Sequence, residues 1–326
     1  MCAAKDLFKG VRGMKKNNEY EFTPSKVHYR RSFGDKLISV ITYFVYSIFA
    51  FVCVYPFYYI FINSISSNTL SERGKVIFLP HEVHFNNYAS VMKLEGLFDA
   101  AKISLLRTGI GTLVVVFTSA FLGYMFTSKN MWGRKFWFRL IAATMYFNAG
   151  VIPLYITMTN LKLTNNFWIY ILPTAISPFY MILCKTFIEA TPSELREAAT
   201  IDGAGTLTIF FRIMLPVIKP ILATVAIFTA VNQWNAFQDT LIYITDKKLN
   251  TLQFVLYQYI TQSSSIKALL NGSSSSANIA ASMAKMQTAT SVRMTVTIVV
   301  VTPILLVYPF FQKYFTKGIM IGAVKG

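Results

Sequence analysis

Five polar residues and a tryptophan fall together inside one of the apolar stretches of the chain: Asn232, Gln233, Trp234, Asn235, Gln238 and Asp239. Polar side chains at membrane depth are costly unless they face protein or water. Amides beside aromatic rings also suit a sugar, whose apolar faces lie on π surfaces while its hydroxyls bond to the amides. Asn232, Gln233, Trp234, Asn235 and Gln238 are therefore candidates for lining a substrate pathway. Hydrogen bonding between helices is the competing reading. Other chemistry is thinly represented. Cys2, Cys53 and Cys184 lack metal-type or disulfide-type spacing. His81 and His84 read as loop residues, and no metal site is expected. No Gly-x-x-x-x-Gly-Lys occurs, so the chain is not expected to hydrolyse ATP by itself.

These residues need a frame, and composition says which kind. Of 326 residues, 54% are hydrophobic and 14% are charged, against about a quarter charged in a soluble domain. Crossing a bilayer takes about 20 apolar residues as a helix. Six stretches qualify, at roughly 37–63, 103–127, 136–158, 167–187, 218–244 and 294–315. Backbone groups must be satisfied within lipid, so the expected fold is an all-α integral membrane protein with six transmembrane helices. Prolines at 56, 153, 173, 178, 220, 303 and 309 predict kinks.

The net charge of +17 does not point to nucleic acid. Much of it lies at the N-terminus and beside the ends of apolar runs. With the N-terminus inside, inner segments hold 19 basic residues and outer segments 10, which predicts an N-in, C-in orientation. Arg107 and Arg139 sit near span ends, where they are expected to snorkel. Residues 1–36 read as a polar cytoplasmic tail and 37–326 as the membrane domain. In the long outer segment a helix is expected near 252–259, then a Ser-rich turn over 263–277, then a helix over 278–288. Gly109, Gly111, Thr112, Ser119 and Gly123 mark a face for close helix packing.

Between the fourth and fifth spans lies a polar loop, 190–217. Thr191 is a good N-cap, Pro192 suits a first helical position, and Glu194 completes a capping box. Glu197, Ala198 and Ala199 continue the helix. Gly203 or Gly205 then ends it. The segment 206–214 is apolar on one face, and Pro216 begins the return to the membrane. A capped helix, a glycine turn and an apolar second half form a device small enough to fit a partner's groove.

Glu197-Ala198-Ala199, Gly203 and Ile213-Met214-Leu215-Pro216 at this spacing resemble the EAA loop of bacterial ABC importer permeases. The chain is similar to the maltose-type carbohydrate branch of that family, with particular resemblance to its LplC- and YtcP-like group. Trp234-Asn235-Ala236-Phe237, the run Pro303 to Phe310 and the tail from Lys317 to Gly326 carry the likeness over about 37–326. The resemblance implies a type I ABC importer permease fold in the bacterial cytoplasmic membrane. It implies that Glu197, Ala198, Ala199, Gly203, Ile213, Leu215 and Pro216 couple the chain to a separate ATPase. Implied partners are a second homologous permease subunit in a heterodimer, an ABC ATPase dimer, an extracytoplasmic solute-binding protein and membrane lipid, with no nucleic acid. The chain would hold no cofactor; ATP and Mg would be bound by the ATPase subunit. The imported solute would be a sugar or oligosaccharide. The alternative, half of an ion-driven secondary transporter, would want ionisable residues in mid-span; the spans are nearly free of them, Asp239 being the main exception, and the loop has no role in it.

Overall fold

The computed structural model describes residues 33–128, 130–261, 293–307 and 309, and every regular element among them is helical. The chain divides into two units, Met1–Pro56 and Phe57–Gly326. The described part of the first unit belongs to helix α1, Phe33–Ile65. Within it Ser39 donates to the Asp35 carbonyl at 2.7 Å, and Phe51 stacks on Tyr55 at 6.0 Å. Its large apolar side chains are exposed, as suits a surface solvated by lipid.

The second unit opens on the buried end of α1. Asn63 donates to the Val76 carbonyl at 3.2 Å and accepts from Ser71 at 2.6 Å. Those bonds hold the short helix α2 (Asn68–Glu72), and Asn87, donating to the Ser64 carbonyl at 3.0 Å, holds α3 (Asn86–Met92). Helix α4, Leu97–Met125, is the central element. It lies along α7 (Pro178–Glu189) and α11 (Lys219–Asn235). Two glycines let the helices approach. A Cβ on Gly111 would stand 2.8 Å from the Gln233 amide, and one on Gly123 would stand 2.9 Å from the Cys184 Cβ. A Cβ on Gly109 would meet nothing within 4 Å among the described residues, so there it adds nothing to the expected packing face.

Between these helices the chain is more broken than uniform spans would be. The stretch expected as the third span is two helices, α5 (Arg134–Thr144) and α6 (Val151–Asn160). The fourth begins with tight 3-10 turns, Phe167–Tyr170 and Leu172–Thr174, and meets α7 at a bend of 48°. Pro173 and Pro178 lack the N–H groups that a continuous helix would use there. The loop at 190–217 holds α8 (Glu194–Ile201). The climb to the fifth span runs through α9 (Thr206–Ile209), a wide π turn (Phe210–Met214) and α10 (Leu215–Val217). It turns by 79° into α11. The chain breaks again before α12, Gln238–Tyr243. Helix α13 covers 252–261, and α14 covers Arg293–Val307. The expected Ser-rich turn at 263–277 and the helix at 278–288 lie outside the described residues.

Among the described residues two single helices, α1 and α4, are long and apolar enough to cross a membrane, or up to four spans if each bent pair counts as one. Among the described residues three buried clusters tie the second unit. Ala120, Tyr124, Ile188, Phe210 and Met214 lie at the loop end. Ile169, Tyr170 and Tyr243 form a second cluster, and Leu97, Trp234, Leu252 and Val300 a third.

Candidate functional site

The loop at 190–217 is built outward from α4. Phe210 is fully buried, with ring centroids 5.4 Å from Phe121 and 5.3 Å from Tyr124. The Tyr124 hydroxyl donates to the Thr206 carbonyl at 3.3 Å. Arg196 on α8 donates to the Thr127 hydroxyl at 3.3 Å, and Arg134 donates to the Thr127 carbonyl at 3.2 Å. Thr127 thus anchors the loop to the end of the second span, a role its sequence position gave no cue to.

Helix α8 begins later than the capping pattern predicts. Its N-cap is Ser193, which makes no side-chain capping bond. The Thr191 hydroxyl instead donates back to the Ile188 carbonyl at 2.6 Å. Thr191 is therefore spent finishing α7, and the first turn of α8 closes on the Ser193 carbonyl through the Arg196 and Glu197 amides. The helix ends on a paired C-cap: Gly203 N–H bonds to Thr200 and Ala204 N–H to Ala199. Gly203 has φ +77°, a conformation that costs an L side chain and that glycine adopts freely.

The predicted coupling residues divide between two faces. Glu197, Ala198, Gly203 and Pro216 are exposed. Ala199 is buried in the loop-end cluster, and Ile213 and Leu215 pack against it. The loop has an inner face fixed to α4 and α7 and an outer face with an acid, a small side chain and a glycine turn.

The polar run of the fifth span divides likewise. Gln233 and Trp234 are buried. Trp234 donates its indole N–H to the Val300 carbonyl at 3.0 Å, and Gln233 donates to Thr174 at 2.9 Å. Asn232, Asn235 and Gln238 are exposed. Asn232 donates to the Tyr180 hydroxyl at 3.3 Å, and Asn235 accepts from Gln253 at 3.1 Å. Beside them Phe237 stacks on Tyr257 at 4.8 Å. Amides and rings thus stand on one broken segment, with Tyr180, Gln253 and Tyr257 added by other helices.

The expectation for Arg107 is corrected. It does not snorkel: its side chain is 2% exposed and forms an ion pair with Asp239. Burial of an arginine requires partners for its donors, and Gln233, Ala236 and Asp239, at and on either side of the break at 236–237, supply them. Two opposite charges isolated in apolar stretches, Arg107 and Asp239, were the sequence signal for this pair.

An apolar, proline-broken helical scaffold with one capped polar loop defines the membrane subunit of a transporter. Residues 116–321 match the family described as binding-protein-dependent transport system inner membrane component. The chain belongs to that family and is a multi-pass permease subunit of the cytoplasmic membrane. It is 33% identical, over 90% of its length and 99% of the relative's, to the polygalacturonan/rhamnogalacturonan transport system permease protein YtcP of Bacillus subtilis. It is 36% identical to protein LplC of Bacillus subtilis, over 84% of this chain and 90% of that one. A solved bacterial ABC transporter involved in import of the acidic polysaccharide alginate has a chain that superposes with TM-score 0.75 at 28% identity, covering 87% of this chain and 98% of that one.

Proposed function

We propose that this chain is one of two paired permease subunits of an ATP-driven importer, with six spans and both termini inside. The solute is a carbohydrate delivered by an extracytoplasmic binding protein, and the names of the relatives favour an acidic oligosaccharide. A separate ATPase dimer binds ATP and Mg, hydrolyses the nucleotide and grips the loop at 190–217. The carrying observation is the two-faced loop. Its inner face is fixed through Phe210 on α4 and through Arg196 on Thr127, just beyond the end of α4, while Glu197, Ala198 and Gly203 remain exposed. In this reading Glu197 supplies charge to the ATPase cleft and Ala198 lets its surface come close. Gly203 sets the turn, and Ala199, Ile213, Leu215 and Pro216 hold the loop's shape. Asn232, Asn235 and Gln238 line the pathway, and Gln233 and Trp234 hold the segment that carries them.

The test is a combined Glu197→Arg and Gly203→Trp replacement in the full transporter. ATPase co-purification and ATP-driven uptake are each expected to fall at least tenfold. Survival of both would exclude the coupling role. The solute class is tested by titrating the partner binding protein with trigalacturonate and with a neutral trisaccharide; preference for the neutral sugar would overturn the acidic reading.

A further inference from the structure

Arg107 makes more contacts than a helix brace requires, and nearly all fall on one place. Its Nε donates to Gln233 Oε1 at 2.9 Å, and its Nη1 donates to the Ala236 carbonyl at 3.0 Å and to Asp239 Oδ1 at 3.0 Å. Its Nη2 pairs with Asp239 Oδ2. The guanidinium carbon lies 4.7 Å from the Tyr170 ring centroid. Gln233 continues the chain of bonds to Thr174 in the 3-10 entry of the fourth span. Asp239 also accepts from the Thr240 amide at 2.9 Å, at the first turn of α12.

The contacts cluster where the fifth span is softest. Helix α11 stops at Asn235, and Ala236 is extended with φ −74° and ψ 131°. Helix termini leave carbonyls without intrahelical partners, and Arg107 takes the one at Ala236. It thereby holds the end of α11, the start of α12 and the break between them from a single residue on α4. A planar fork of five donors suits this; a lysine, with one point charge, does not.

The same helix carries the coupling loop at its other end. Tyr124 and Phe121 enclose Phe210, and Tyr124 bonds to Thr206. Seventeen positions separate Arg107 from Tyr124 on this helix, about 25 Å of α-helical rise. Between them Gly123 sits tight against Cys184 and Lys185 of α7, and Gly111 against Gln233 of α11. Close-packed interiors transmit displacement instead of absorbing it. Around the break stand Asn232 and Asn235, whose side-chain partners Tyr180 and Gln253 belong to other elements.

We propose that Arg107 is a positioning residue for transport: it fastens α4 to the break in the fifth span, so that movement of the coupling loop reaches the Asn232–Tyr180 contact. This rests on the coupling-loop reading above. Displacement enters at Phe210 and Thr206, passes along α4 as a rigid element, and is delivered by the guanidinium to Ala236 and Asp239. The helical path is interrupted there at the extended Ala236, so the two sides of the break can move relative to one another.

The experiment uses the assembled transporter with its ATPase, in a chain whose native cysteines are replaced by alanine. One cysteine pair replaces Asn232 and Tyr180, and a second chain carries the pair at Tyr124 and Thr206. A short bismaleimide, whose spacer stands in for the tyrosine ring each pair loses, cross-links the cysteines, and the yield is read without nucleotide and after trapping with ATP and vanadate. The expected result is at least a threefold nucleotide-dependent change at the 232/180 pair, abolished by Arg107→Gln while the 124/206 pair still responds. Asp239→Asn, which keeps the shape and removes the charge, is expected to act as Arg107→Gln does. The inference is overturned if the 232/180 pair ignores nucleotide in the native background, or if it still responds in R107Q and D239N. It is also overturned if neither variant accumulates in the membrane, since the pair would then be a folding element. Failure of the coupling-loop reading looks different: Glu197→Arg would leave both pairs responding as in the native chain.

Discussion

Gly203 has nothing within 4 Å of the place a Cβ would occupy, and its φ is +77°. The demand at this position is therefore backbone conformation and not space. A left-handed conformation costs an ordinary L residue about 1–2 kcal/mol, and asparagine tolerates it better. Gly203→Asn should accordingly retain most ATPase co-purification, while Gly203→Val should lower it and the thermal midpoint of the purified transporter. Equal effects from the two would place the demand elsewhere. Gly123 makes the opposite demand, since its Cβ would meet the Cys184 Cβ at 2.9 Å and the Lys185 backbone nitrogen at 3.0 Å. Backbone cannot swing aside, so Gly123→Ala should cost about 1–3 kcal/mol by overpacking, and Gly109→Ala, in open space, close to nothing. Thermal unfolding of the two variants side by side decides it. Both glycines stood in the sequence as packing candidates, and only distances separate them. Arg107 was harder to read. Its place near the end of an apolar run fits snorkelling, and only the fold brings it to Asp239.

The elements that the sequence made legible were those with one dominant physical cause. Helix α4 is a long apolar run without proline and appears as one helix. The glycine stop of α8 appears at Gly203, and a helix covers 252–261 as its apolar pattern predicts. Missed features arise where local chemistry has two uses. Thr191 is a good N-cap, but its hydroxyl closes the preceding helix instead. The break at 145–150 contains no proline and follows no pattern that hydrophobicity reports. The π turn over Phe210–Met214 is also invisible in sequence, because tertiary packing sets it. It places Phe210 wholly inside the loop-end cluster while Phe211 remains 48% exposed. Phe210→Ala should therefore cost about 3 kcal/mol through the cavity it leaves, and Phe211→Ala much less. A smaller penalty at Phe210 than at Phe211, read by thermal unfolding, would show that the turn does not lock the loop to α4.

Orientation belongs to the whole molecule, because no single helix determines it. The basic residues divide 19 to 10 between the two proposed sides, and such asymmetry is read by short segments near helix ends. The local exception is the long segment after the fifth span, which holds Lys247 and Lys248; long segments cross with less regard to charge. Two well-placed positions test the balance. Lys248 lies in an exposed 3-10 turn after α12, and Glu197 is exposed on α8. They lie at opposite ends of the fifth span, which is the polarity that the coupling loop requires. In intact cells carrying the otherwise cysteine-free chain, a membrane-impermeant maleimide should label Lys248→Cys and spare Glu197→Cys. After permeabilisation both should react, because neither position is buried. Reversed labelling would place the loop outside, beyond reach of any ATPase, and would remove the coupling proposal along with the orientation. Labelling of both positions in intact cells would mean that the segment between them does not cross the membrane, so the charge count would no longer bear on it.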